Sequence, residues 1–154
     1  MVNIRQKGQN GERQIATLLN GLIILKMREM GFSEDKVVTA ATAVQRNQNQ
    51  SAVGGNDLSN TFGLSIEVKC QEQLAINTWW AQCVTAAERN NEIPVLIFKQ
   101  NHKGWRVITM GEVPLPDNNT QIFKTRVEFT YDEFARWFSI WVGQKLSMGE
   151  AIRT

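Results

Sequence analysis

The chain has 154 residues, 42% of them hydrophobic and 21% charged, ordinary values for a soluble protein and enough to bury the core of one domain. Seventeen basic residues against fifteen acidic ones leave a net charge of +2, compatible with an anionic partner without requiring one. Two cysteines, Cys70 and Cys83, are too few for a disulfide framework, and the apolar runs fall far short of a membrane span; the expectation is one cytoplasmic domain over residues 1–154 with no signal peptide or internal repeat.

Ile15, Leu18, Leu19, Leu22 and Ile23 recur at helical spacing and predict a first helix from Gln9 to about Met30, closed by Gly31. Glu12 lies three residues before Ile15 and seven before Leu19, at the edge of the face this helix buries. Its ordinary role would be an acid favoured by the helix dipole, worth roughly 0.3–1 kcal/mol. Lys36–Val44 reads as short and β-leaning, although Thr-Ala-Ala-Thr-Ala weakens it, and the amide-rich Gln45–Ser51 reads as a polar loop. Leu64–Cys70 alternates as a strand, with Ile66, Val68 and Cys70 on one face and Ser65, Glu67 and Lys69 on the other. Thr78–Asn90 predicts a helix striped with Trp79, Trp80, Cys83, Val84 and Ala87. Ile93–Lys99 is continuously apolar, as in a strand buried on both faces. A turn at Asn101–Gly104 leads into Trp105–Thr109, expected to run antiparallel to it. Pro114 and Pro116 interrupt a loop, Gln121–Phe129 reads as a further strand, and Asp132–Leu146 as a helix carrying Phe134, Trp137, Phe138, Trp141 and Val142 on one side. The order predicts an α/β fold with a mixed central β-sheet flanked by helices.

One strand face therefore carries an acid and a base. Glu67 and Lys69 stand roughly 6.6 Å apart along the backbone. Asp57 lies ten residues before Glu67, with the turn-forming Ser59–Gly63 between them. A hairpin would set Asp57 opposite Glu67, and Gly54 and Gly55 would let the chain bend just ahead of it. Two carboxylates so placed can share a hard cation, and oxygen ligation that retains several waters suits Mg²⁺. An exposed ion pair between Glu67 and Lys69 is the ordinary alternative. His102, the only histidine, falls in a predicted turn and gives a zinc site or a serine triad little to work with.

Asp57, the run Glu67-Val68-Lys69 and the Gly11-Glu12-Arg13 opening of the first helix resemble the PD-(D/E)XK nuclease superfamily, most of all the small Holliday junction resolvases of archaea and phages. The likeness runs from about Gly8 to Thr109. It rests on features arriving in order: the Gly-Glu-Arg helix, a polar loop, the aspartate, the Ile-Glu-Val-Lys strand, and a helix followed by the apolar Ile93–Lys99. Asn56 stands where the motif's name has proline, and the stretch from Glu12 to Asp57 is longer than in compact archaeal resolvases.

The resemblance implies a restriction-endonuclease-like core and a metal-dependent, structure-selective DNA endonuclease. The activity it points to is a resolvase of recombination that places paired symmetric nicks in four-way junctions. Asp57, Glu67 and the Val68 carbonyl would hold one or two Mg²⁺ ions, with Mn²⁺ a substitute, and Glu12 would add a ligand. Lys69 would orient or deprotonate the attacking water. Arg46 and Ser51 match loop residues that touch the scissile strand, and Gln71 and Gln82 would stand behind the ligands or be plain surface amides. Arg5, Lys7 and Arg13 at the N-terminus, with Lys99, Lys103 and Arg106 around the turn, are the residues for phosphate contact, and Lys124 and Arg126 would extend them. Nothing in the pattern singles out base contacts, so recognition by shape is expected. The aromatic stripe of the last helix reads as core ahead of interface, yet a two-fold junction calls for a homodimer. The same fold acting on flaps or duplex DNA in restriction or repair, or binding DNA without cutting it, is the alternative. The setting would be the cytoplasm of a bacterial or archaeal cell or of a phage-infected host.

Overall fold

The computed structural model describes residues 3–47, 56–117 and 121–152. Helix α1 (Ile4–Glu29) is followed by the short α2 (Glu34–Val37) and a 3₁₀ turn over Val38–Thr42. Strands β1 (Gln45–Arg46), β2 (Leu58–Ser59) and β3 (Leu64–Gln71) lead to α3 (Ile76–Asn90), then β4 (Ile93–Gln100), β5 (Arg106–Pro114), β6 (Ile122–Thr130) and α4 (Tyr131–Ser147). The main sheet has the order β3-β4-β5-β6, with β3 parallel to β4 and the remaining pairs antiparallel. This is the mixed sheet flanked by helices that the element order predicts.

Helix α1 starts at Ile4 rather than Gln9 because Asn3 caps it, its side chain accepting from the N–H groups of Arg5 and Gln6. Its first turns bury no apolar side chain, so periodicity gives no sign of them. At the other end Gly31 adopts a φ of 83°, the left-handed stop that glycine accepts without a steric penalty. Ile15, Leu19 and Ile23 are fully buried, in one cluster with Ile66 and Val68 of β3, Val95 and Ile97 of β4, and Phe134, Phe138 and Val142 of α4. The last helix thus spends its aromatic stripe on the core, with Trp137 and Trp141 packed at the margin. On the opposite face of the sheet, α3 sets Trp79 and Cys83 against Leu96, Phe98 and Ile108. β4 is therefore buried on both faces, Val95 through Phe98 being wholly inaccessible.

Two sequence expectations fail here. Residues 36–42, most of the stretch read as β-leaning, are helical rather than extended. Val37, Ala40 and Val44 are buried in the cluster that α1 enters, three and then four residues apart, and this helical period outweighs the β-preference of Val and Thr. Nor does a regular hairpin join Asp57 to β3, because β2 pairs antiparallel with β1 instead. Asn60, Phe62 and Gly63 all take positive φ, at 64°, 57° and 87°, and bend the chain too sharply for a continuous ladder. The Trp141 Nε1–H donates to the Phe62 carbonyl at 2.9 Å, so α4 holds this bend in place.

Candidate active site

Strand β3 is an outer strand of the main sheet, so one side of its backbone needs partners from outside the ladder. Asp57 supplies them. Its N–H donates to the Ile66 carbonyl at 3.0 Å, and its Oδ2 accepts from the Val68 N–H at 2.7 Å. A carboxylate thus takes the place of the carbonyl that a pairing strand would offer. The juxtaposition expected of a hairpin is reached without one, and the Asp57 and Glu67 carboxyl groups come close enough to perturb each other's ionisation. In the parallel register Glu67 and Lys69 align with Leu96 and Phe98, the face covered by α3; Glu67 is buried and Lys69 half-buried.

Glu12 arrives from α1. It is 8% exposed, Asp57 8% and Glu67 7%. Its Oε2 accepts from Arg46 Nε at 2.6 Å, so the carboxylate is engaged by a cation from β1. The same small sheet positions both partners of the site, since the Asn47 N–H donates to the Asp57 carbonyl at 2.8 Å. Burying neighbouring carboxylates disfavours their charged forms. Desolvation, then the Asp57 charge, push the Glu67 carboxyl up to about 8, against the pull of Lys69. Burial raises Asp57 as well, opposed by its hydrogen bond from the Val68 N–H and by Glu67.

Two supports of this corner carry no motif. Asn20 Oδ1 accepts from the Val44 N–H at 2.8 Å while its Nδ2 donates to the Val44 carbonyl at 3.0 Å, tying α1 to the segment that enters β1. A polar residue on an apolar helix face was its only signal. Asn56, in the place of the motif's proline, donates from Nδ2 to Glu92 Oε1 at 3.2 Å, and its carbonyl accepts from Asn47 Nδ2 at 3.2 Å. Hydrogen bonds hold the residue before the aspartate where a pyrrolidine ring would fix φ.

The remaining predicted residues disperse. Arg5, Arg13 and Lys103 are exposed, and Lys7 and Lys99 half-buried, with the Lys99 ammonium 5.0 Å from the Trp105 ring centre. Arg106 is turned to Glu128 through bonds of 2.7 and 2.8 Å, which neutralises it locally. Lys124 and Arg126 lie exposed on β6, and Gln71 and Gln82 are exposed at the end of β3 and on α3. His102 sits exposed in the β4–β5 turn at a φ of 62°. Ser51, Gly54 and Gly55 lie outside the described residues.

The groups that meet at the β3 edge are hard carboxylate oxygens, which suit a hard divalent cation. Among the described residues no group of three or more His, Cys, Asp or Glu side chains is placed to hold a metal ion; Mg²⁺ sites can use as few as one or two carboxylates, with water and substrate phosphate completing the shell. Also among the described residues, no helix is long and apolar enough to cross a membrane.

Residues 3–146 match a family described as "Phage putative PDDEXK endonuclease". Among solved structures, Archaeoglobus fulgidus Hjc, a Holliday junction resolvase from an archaeal hyperthermophile, is similar at 21% identity over 68% of this chain and 96% of its own, with a TM-score of 0.37. No curated protein matches the chain.

Proposed function

We propose, for a chain that belongs to the phage PDDEXK endonuclease family, that it hydrolyses phosphodiester bonds of branched DNA with Mg²⁺, or Mn²⁺ in its place, and that four-way junctions are its substrate. The observation that carries this reading is that the buried Asp57, bonded to the Val68 N–H of the outer strand β3, stands beside the buried Glu67 of that strand, the two 8% and 7% exposed, with Lys69 next on the face of Glu67. Adjacent buried carboxylates are costly, and a fold that keeps them has a use for them. Asp57, Glu67 and the Val68 carbonyl would hold one or two ions, with Glu12 contributing from beside Arg46. Bound there, divalent cations would supply Lewis-acid charge to the reacting phosphate. The Lys69 ammonium would orient a water in line with the phosphorus and offset negative charge as it develops. Paired nicks on a two-fold junction need two such edges, which a homodimer provides.

The test is a cleavage panel of end-labelled four-way junction, flap, linear duplex and single-stranded DNA, with Mg²⁺ or chelator. Symmetric nicks on the junction, lost with chelator, are expected. Asp57→Asn should lower the rate by roughly 10²–10³-fold or more, the scale of removing one transition-state-stabilising group, with the circular dichroism spectrum unchanged. Cutting spread over flap and duplex would move the substrate and keep the chemistry. Full cleavage by Asp57→Asn, or none by the wild type, would overturn the site.

A further inference from the structure

Every ion pair among the described residues except one has a side chain at least 42% exposed. The exception joins Arg46 to Glu12, whose side chains are 19% and 10% exposed, with Nε 2.6 Å from Oε2. A pair taken this far out of water seldom repays its desolvation, so its retention asks for a use beyond stability.

Its place in the fold supplies one. Arg46 is aligned with Leu58 across the small sheet, and Leu58 follows Asp57 in the chain. The residue after Arg46, Asn47, donates from its N–H to the Asp57 carbonyl at 2.8 Å. The guanidinium is thus carried on the strand that fixes Asp57. Glu12 in turn lies within electrostatic reach of the other two buried acids. Desolvation does most to raise the carboxyls of Asp57 and Glu67, and the charge of Glu12 adds to it at both. Yet among the described residues these acids are not gathered into a group that could hold a metal ion, and Glu12 is bonded to Arg46. Three acids share one field, and a cation of the protein's own already occupies one of them. A guanidinium and a hard divalent cation seek the same carboxylate oxygens and repel each other, so they compete for Glu12.

We infer that Arg46 is the resident counterion of the metal-free site: it withholds Glu12 from the ligand set until a divalent cation displaces it, and so sets how tightly the site takes its ion. The inference rests on the nuclease reading above and adds to it an exchange, Arg46 leaving Glu12 as the metal arrives. A strut that held Glu12 ready for the metal would behave in the opposite way. Removing a strut weakens metal binding, whereas removing a competitor strengthens it.

Binding of Mn²⁺ alone is measured by titration calorimetry without DNA, on protein whose circular dichroism spectrum matches the wild type. Arg46→Gln is expected to bind Mn²⁺ about tenfold or more tightly than the wild type, the factor equivalent to one hydrogen bond to a charged group. Arg46→Lys, which keeps a charge but not the planar fork, should gain less, and it decides the matter if the glutamine variant does not fold. Adding Glu12→Gln should abolish the gain, since the exchange acts through that carboxylate. In chelator the Tm of Arg46→Gln should lie below that of the wild type, and saturating Mn²⁺ should narrow the gap. Equal or weaker Mn²⁺ binding by the folded variant, or a gain that persists without Glu12, would overturn the inference and leave the metal-dependent nuclease standing. Failure of both wild type and variant to bind Mn²⁺ would overturn the two together.

Discussion

Glu67 is where burial and charge make opposite demands. Its carboxyl, ordinarily ionised near 4.5, keeps its proton to about 8 in the folded protein because desolvation and then Asp57 oppose the charged form. Between those values the native state binds a proton that the unfolded chain has released. The stability this contributes is complete below about pH 4.5 and is lost as pH rises through about 8. Metal-free protein should therefore show a Tm that falls across this window in thermal scans, and Glu67→Gln should flatten the slope. A wild-type Tm that climbs over the same range would contradict the buried pair. On the metal-dependent reading proposed above, a divalent ion held by Glu67 would have to displace that proton, so Mg²⁺ affinity should rise with pH. Calorimetry in two buffers of different ionisation enthalpy would count the protons released, and a count of zero would remove Glu67 from the ligand set. That Glu67 and Lys69 share a strand face was legible in the sequence because alternation fixes it, whereas Asp57 was placed by a hairpin that the chain does not form. The bond from Arg46 to Glu12 was not legible, since it spans elements far apart in the chain.

Elements are held in register by contacts that periodicity does not report. An added Cβ at Gly111 on β5 would lie 2.7 Å from both γ-carbons of Val127 across the β5–β6 pair, and a β-branched side chain has little freedom to yield. Gly111→Ala should cost about 1–3 kcal/mol by denaturant titration, and adding Val127→Ala should restore most of it; a Gly111→Ala protein as stable as the wild type would show that the strands can separate freely. Asn20→Ala would strip both bonds from Val44, which is 2% exposed, at about 1–3 kcal/mol for each buried group left unsatisfied. An unchanged denaturation midpoint would mean that the tie between α1 and the entry to β1 carries no load. The helices α1, α3 and α4 were visible at period 3.6, β3 at period 2, β4 as a continuous apolar run, and β5 and β6 as strands that follow a turn and a proline-marked loop. The 3₁₀ turn and α2 were missed because β-branched Val and Thr masked their helical spacing.

At the scale of the whole molecule, stability is concentrated on β4 and thins toward one end. β4 pairs with β5 only from Val95↔Thr109 to Phe98↔Arg106, whereas β5 and β6 remain paired as far as Pro114↔Ile122. Met110–Pro114 and Ile122–Arg126 therefore extend past β4 as a two-stranded arm, with Val113 40%, Ile122 52% and Phe123 55% exposed. Native-state hydrogen exchange should find the slowest amides on β4, opening with the global free energy, and much faster exchange in the arm. Equal protection of both would show that the arm is covered in solution, as a dimer contact there would make it.

The sequence by itself determined the α/β class, the strand face bearing Glu67 and Lys69, and the helix that brings Glu12 to the edge of the core. Local periodicity encodes each of these within a few residues. Only the tertiary structure decided how Asp57 reaches Glu67. A carboxylate completes the open backbone of β3, while the chain around it pairs with β1. It also decided that Arg46 engages Glu12 and that Glu128 neutralises Arg106. Those relations depend on hydrogen-bond groups left over once the ladders are formed, and no pattern along one segment can specify which distant residue will satisfy them.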